Sequence, residues 1–197
     1  MKQYIGIKNN FDLVFAAFLT LLLSPLLLFI TLLIKLDSRG PVLFKQKRIG
    51  KDNSTFEIYK FRSMGIEAPK DLPTHEFTNA ESYITGVGLF LRKSSLDELP
   101  QLFNILKGQM SFIGPRPALW NQQDLIEARK ASGADKIKPG ITGWAQVNGR
   151  DELPILQKAA FDGYYAKHMG LLFDVKILFL TVWSVATHKG ISEGGPR

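Results

Sequence analysis

From Val14 to Ile34 the chain runs VFAAFLTLLLSPLLLFITLLI without one charged side chain. No other feature constrains the fold as much. As a helix the run would reach about 31 Å, enough to cross the hydrocarbon core of a bilayer. It is too long for the apolar stretch of a cleaved leader, and no small-residue cleavage site follows it before Lys35. Pro25 sits in its middle, directly after Ser24. Proline removes a helical donor and clashes with the preceding turn, so a kink or break is expected there. The Ser24 hydroxyl is placed to satisfy a carbonyl so freed inside lipid.

Positive charge flanks both ends of the run. Lys2 and Lys8 precede it, and Lys35, Arg39, Lys45, Lys47, Arg48 and Lys51 follow. A spanning helix would leave one of these sets outside, against the positive-inside bias. A hairpin that dips in at Ser24-Pro25 and returns keeps both inside. On these grounds alone, re-entry and a kinked span stand level.

The remainder is long enough for one domain with its own core among 197 residues. The formal net charge of +7 points to an anionic partner: nucleic acid, a phosphorylated ligand or acidic lipid headgroups. Cysteine is absent, which excludes disulfides and thiolate zinc sites. His75, His168 and His188 show no metal-ligand spacing. Short β-like runs are expected at Val42–Phe44 and Thr55–Tyr59. Residues 65–83 read as a polar loop, and residues 86–93 as a short helix or turn.

A clearer helix is expected from about Asp97 to Lys107. Its apolar face is Leu99, Leu102, Phe103 and Leu106, and Gly108 stops it. Residues 121–131 read as an exposed helix and 155–168 as another. A last helix, about Phe173 to Thr187, is mostly apolar but carries Asp174 and Lys176, which suits a core helix or the membrane interface.

Three pieces can carry chemistry. Asp97-Glu98 opens the amphipathic helix. Ser95 and Glu98 also match a capping box, and Asp97 is an alternative cap that leaves Pro100 in a tolerated first turn. Arg92 and Lys93 lie just upstream. In Gly114-Pro115-Arg116-Pro117, two prolines fix the backbone around an arginine suited to gripping phosphate oxygens. In Pro139–Arg150, three glycines (Gly140, Gly143 and Gly149) permit close backbone approach to a ligand. In that loop Gln146 and Asn148 offer polar groups, and Arg150 a cation. Neither a Walker lysine motif nor a dinucleotide fingerprint is present. Carboxylates beside arginines suit phosphoryl transfer, either metal-assisted or through a carboxylate that attacks phosphorus. A basic membrane scaffold and a metal-dependent phosphodiesterase or nuclease are the competing readings.

Five blocks in order resemble the bacterial sugar transferases, specifically the small monotopic phosphoglycosyl transferases. They are the Ser24-Pro25 apolar segment, Tyr59–Met64 (YKFRSM), Ser95–Leu102 (SLDELPQL), Met110–Pro117 (MSFIGPRP) and Pro139–Arg150. The resemblance covers nearly the whole chain. It implies a mostly α fold with short β elements. Residues 1–38 would form a re-entrant membrane hairpin, and residues 39–197 a compact cytosolic catalytic domain with interfacial amphipathic helices. It implies transfer of a sugar-1-phosphate from a UDP-sugar to polyprenyl (undecaprenyl) phosphate, with release of UMP. That reaction is ping-pong, runs through an aspartyl-phosphosugar at the cytoplasmic face of the bacterial inner membrane, uses Mg²⁺, and takes no nucleic acid.

Carried over, Asp97 is the nucleophile, and Glu98 helps to hold Mg²⁺ or assists proton transfer. Lys60, Arg62, Arg92 and Arg116 would bind phosphates, with Gln146, Asn148 and Arg150 beside them. Longer relatives carry further N-terminal helices and another domain, so the chain reads as a minimal catalytic form.

Overall fold

The structure is a computed structural model that describes residues 2–69, 80–149 and 153–186. It is mostly helical with short strands, as the sequence implies. The apolar run belongs to two helices, α1 (Lys2–Leu22) and α2 (Ser24–Asp37), broken at Leu23. Pro25 lies in the first turn of α2. Its missing N–H would have served the carbonyl of Leu21, four residues back. The Ser24 hydroxyl donates to that carbonyl at 2.8 Å. One helical stretch, Gln3–Leu22, is long and apolar enough to cross a membrane.

Next come β1 (Leu43–Ile49) and β2 (Thr55–Phe61), an antiparallel pair in which Lys45 faces Tyr59 and Phe44 faces Lys60. Both strands exceed their expected lengths, because alternation continues through the basic residues. Helix α3 (Gly86–Lys93) is capped by the Thr85 hydroxyl, which accepts from Gly88 N at 3.0 Å. A 3₁₀ turn (Leu96–Glu98) then leads into α4 (Gln101–Leu106). Strands β3 (Ser111–Ile113) and β4 (Gly140–Thr142) pair in parallel. Between them lies α5 (Gln123–Ser132), and after them α6 (Trp144–Val147), α7 (Ile155–His168) and α8 (Leu171–Ala186).

Three expectations are corrected. The helix expected from Asp97 starts at Gln101, with Pro100 at its N-cap, and neither Ser95 nor Asp97 caps it. Its buried residues are Gln101, Leu102, Asn104 and Ile105, while Phe103 is exposed. The inward face is set by packing against β2, which draws in Asn104, and it takes in two polar side chains. Helix α5 is not simply exposed. Its Arg129 is buried and pairs with Asp162 of α7 at 2.7 Å, which ties the two helices together.

The two N-terminal helices pack on the rest of the chain. Ala16 of α1 joins Phe56, Ile58, Leu102, Ile105 and Met110 in one core cluster. Ile30 and Ile34 of α2 join Phe61 and Leu91 in another. Lys8 forms a buried ion pair with Asp174 of α8 at 2.7 Å, and Asp174 also accepts from the hydroxyls of Tyr4 and Tyr165. Asp12 accepts from the Ser111 hydroxyl at 2.6 Å. The outward sides of α1 and α2 stay apolar and exposed, through Phe11, Val14, Phe18, Leu21, Leu28, Phe29, Leu32 and Leu36.

Candidate active site

The site is built where β2, the 3₁₀ turn and the Gly114–Pro117 segment converge. Ser95 adopts a left-handed backbone (φ 55°), and that bend delivers Asp97 and Glu98 in consecutive positions of a tight turn. Lys60, near the end of β2, reaches both carboxylates. Its ammonium lies 2.7 Å from Glu98 Oε1 and 3.8 Å from Asp97 Oδ2. Arg116 donates through Nη1 and Nη2 to the same Glu98 Oε1, at 3.3 and 3.4 Å. Arg92, in the last turn of α3, adds positive potential at Asp97.

The two acids therefore differ in character. Burial alone would raise the Glu98 carboxyl, but the charges and hydrogen bonds of Lys60 and Arg116 outweigh it and hold it down to about 2. Asp97 is pushed upward by burial and by the Glu98 charge, against the pull of Lys60, Arg92 and Arg116. It is 9% exposed and, among the described residues, accepts no hydrogen bond. Glu98 is thus an ionised anchor for the cations, and Asp97 a buried carboxylate that, among the described residues, meets only the longer 3.8 Å approach of Lys60 to its Oδ2.

Among the described residues no group of three or more metal-ligating side chains exists. A protein-only cage is therefore not what these residues offer. Mg²⁺ commonly takes one or two carboxylates and completes its shell with substrate phosphates and water. The Asp97 carboxylate, which accepts no hydrogen bond among the described residues, fits that arrangement. Glu98 fits it less well, since its Oε1 already serves Lys60 and Arg116.

The other expected residues divide. Arg62 is turned away from the carboxylates. Its guanidinium donates to the carbonyls of Ser38 and Arg39, closing the chain just after α2. Gln146 donates to Ile141 O at 2.9 Å and Asn148 to Trp144 O at 2.7 Å, so both brace their own loop. Arg150 lies outside the described residues, as do His75 and His188.

The glycines of that loop also serve differently than expected. A Cβ on Gly140 would collide with Gly114 N, and one on Gly143 with Gly114 O. Gly114 N donates to Thr142 O at 2.9 Å, and Gly140 N to Pro115 O at 2.9 Å. The close approach is thus between the two loops, and it seats the Arg116 segment. Its far side is held by β1, where Arg48 Nη1 donates to Pro117 O and Ile49 N to Ala118 O.

One buried residue was not singled out from the sequence. Asn104 sits on α4 among apolar neighbours and bonds to the β2 backbone. Its only sequence signal is an amide inside an amphipathic helix, which usually means a solvent face.

The bacterial sugar transferase family model matches residues 3–188. The chain is 44% identical over 192 residues to a UDP-glucose:undecaprenyl-phosphate glucose-1-phosphate transferase of Escherichia coli (strain K12), covering 93% of this chain and 41% of that protein. It is 40% identical over 192 residues to a UDP-N-acetylgalactosamine-undecaprenyl-phosphate N-acetylgalactosaminephosphotransferase of Aeromonas hydrophila, covering 95% and 45%. It is 40% identical over 187 residues to the uncharacterized sugar transferase EpsL of Bacillus subtilis (strain 168), covering 95% and 91%. The chain thus spans less than half the length of the first two proteins and nine-tenths of the third. With the family model matching nearly end to end, the chain belongs to the bacterial sugar transferase family.

Proposed function

We propose that this protein transfers a sugar-1-phosphate from a UDP-sugar to polyprenyl phosphate and releases UMP, as the first membrane step of glycoconjugate assembly. The observation that carries this reading is the division of labour in the acidic pair. Glu98 binds the cations, while Asp97 is left buried, without hydrogen bonds among the described residues and overlooked by Lys60, Arg92 and Arg116. A carboxylate so placed can attack phosphorus, and its positive neighbours stabilise charge on a departing phosphate.

In the first half-reaction an Asp97 oxygen forms a bond to the sugar-bearing phosphorus, and the bond from that phosphorus to UMP breaks. Lys60 and Arg116 orient the diphosphate and take up charge on the leaving UMP. In the second, an oxygen of the lipid phosphate attacks the same phosphorus, and Asp97 leaves as a free carboxylate. Glu98, ionised throughout, keeps Lys60 and Arg116 aimed at the site. Bound Mg²⁺, held through Asp97, would offset diphosphate charge and favour the ionised form of Asp97.

A re-entrant hairpin at the cytoplasmic face of the inner membrane fits this chemistry. Both of its ends are tied to the same body: α1 by Lys8–Asp174, and the chain after α2 by Arg62. That supports a turn inside the lipid at Leu23–Pro25 rather than exit on the far side. Residues 1–38 are then the hairpin, and residues 39–197 the catalytic domain beside the lipid phosphate.

The test is UMP release from a panel of UDP-sugars with undecaprenyl phosphate in detergent. Asp97→Asn is expected to slow it at least about a thousandfold. UMP release unchanged in that variant rules out Asp97 as nucleophile. Turnover with water and no lipid acceptor would make the protein a hydrolase instead.

A further inference from the structure

Among the described residues, strand β2 has one neighbouring strand, β1, in its sheet. On its other edge the Asn104 side chain stands in for a third. Its Oδ1 accepts from Tyr59 N at 3.0 Å, and its Nδ2 donates to Glu57 O at 2.7 Å. A primary amide presents one acceptor and one donor side by side, the same pair that an adjacent strand would offer that edge. The second Nδ2 hydrogen goes to Gln109 Oε1 at 2.9 Å, and the residue is fully buried. An apolar side chain of equal volume would fill the space but strand Tyr59 N and Glu57 O.

The residue after Tyr59 is Lys60, whose ammonium meets Glu98 and Asp97. The helix that carries Asn104 begins just after those carboxylates. Asn104 therefore bridges the two elements whose separation sets the Lys60–carboxylate distances. We infer that Asn104 is a positioning residue, whose amide locks β2 to α4 and holds Lys60 in register with the Asp97–Glu98 pair. This rests on the proposed reading of that pair as the transfer site.

Two measurements on the full chain in detergent test it. In the first, solvent lysines are reductively methylated and quantified by peptide mass spectrometry. Asn104→Ala is expected to raise Lys60 labelling about threefold or more, while the buried Lys8 stays protected. Unchanged Lys60 labelling, or Lys8 and Lys60 rising together through general loosening, overturns the inference. In the second, Asn104→Ala is expected to lower kcat for UMP release about tenfold or more. In a Lys60→Met background the same change is expected to cost nothing further. Losses that multiply instead show that Asn104 does not act through Lys60. If Asn104→Ala does not fold, Asn104→Asp keeps the shape and the bond from Tyr59 but loses both donors, and the same two outcomes are read on it. A wild-type chain that releases no UMP defeats the transfer reading alone, because the labelling still decides the role of Asn104.

Discussion

Replacing Glu98 by glutamine keeps the shape of the side chain and removes its charge. The Glu98 carboxyl is held from an ordinary 4.5 down to about 2 in the folded chain. At about 1.4 kcal/mol per pH unit, that difference is worth at most about 3 kcal/mol of stability. A lowered folded value means the contribution is fully present above pH 4.5 and fades as the pH falls towards 2. Asp97 works the other way, since the Glu98 charge is one of the causes that push it up. Removing that charge relieves Asp97, so the figure is a ceiling. The expected result is a Glu98→Gln chain less stable than wild type by up to about 3 kcal/mol at pH 7, with the gap closing steadily below pH 4.5. Urea unfolding in a mild non-ionic detergent, followed by tryptophan fluorescence between pH 3 and 7, measures it. A gap that stays constant over this range, or widens on acidification, would refute the pairing of Glu98 with Lys60 and Arg116 as the source of its stability.

Three further outcomes are expected. The chain has no cysteine, so Lys2→Cys gives a single label site; in intact cells it should resist an impermeant maleimide, and become labelled when Pro25→Ala straightens the run. Arg129→Met strands the buried Asp162 and should cost about 3–5 kcal/mol, read as a fall in Tm; an unchanged Tm would mean that Asp162 carries no charge. Gly143→Ala drives a Cβ into the Gly114 carbonyl and should depress both Tm and UMP release, whereas a variant normal in both would show that the seam yields.

The helix break at Leu23 was legible because its cause is local. One proline and the hydroxyl beside it define both the break and the carbonyl that needs a partner. Helices α7 and α8 were legible to within two residues, each following a proline or glycine, whereas residues 86–93 stayed open between a short helix and a turn and form α3. The start of α4 was not, because three local signals compete there: Ser95, Asp97 and Pro100. Tertiary pairing of Glu98 with Lys60 and Arg116 overrides the capping box. Strands β3 and β4 were missed because each has three residues and finds its partner far along the chain. The resemblance places Arg62 among the phosphate ligands, yet here two backbone carbonyls claim it. The roles of Gly140 and Gly143 depended on where Gly114 would arrive, which no spacing within either loop encodes.

That seam has a further consequence for how the molecule breathes. The amide of Gly114 is bonded to Thr142 O, and the amide of Gly140 to Pro115 O. Each bond joins one loop to the other, so the Arg116 turn and the loop of residues 139–149 are expected to open as one unit. In hydrogen exchange the two amides would share one opening free energy. Destabilising either loop would shorten the protection of both, and Arg116 would lose its aim at the moment that the loop of Gln146 and Asn148 comes loose.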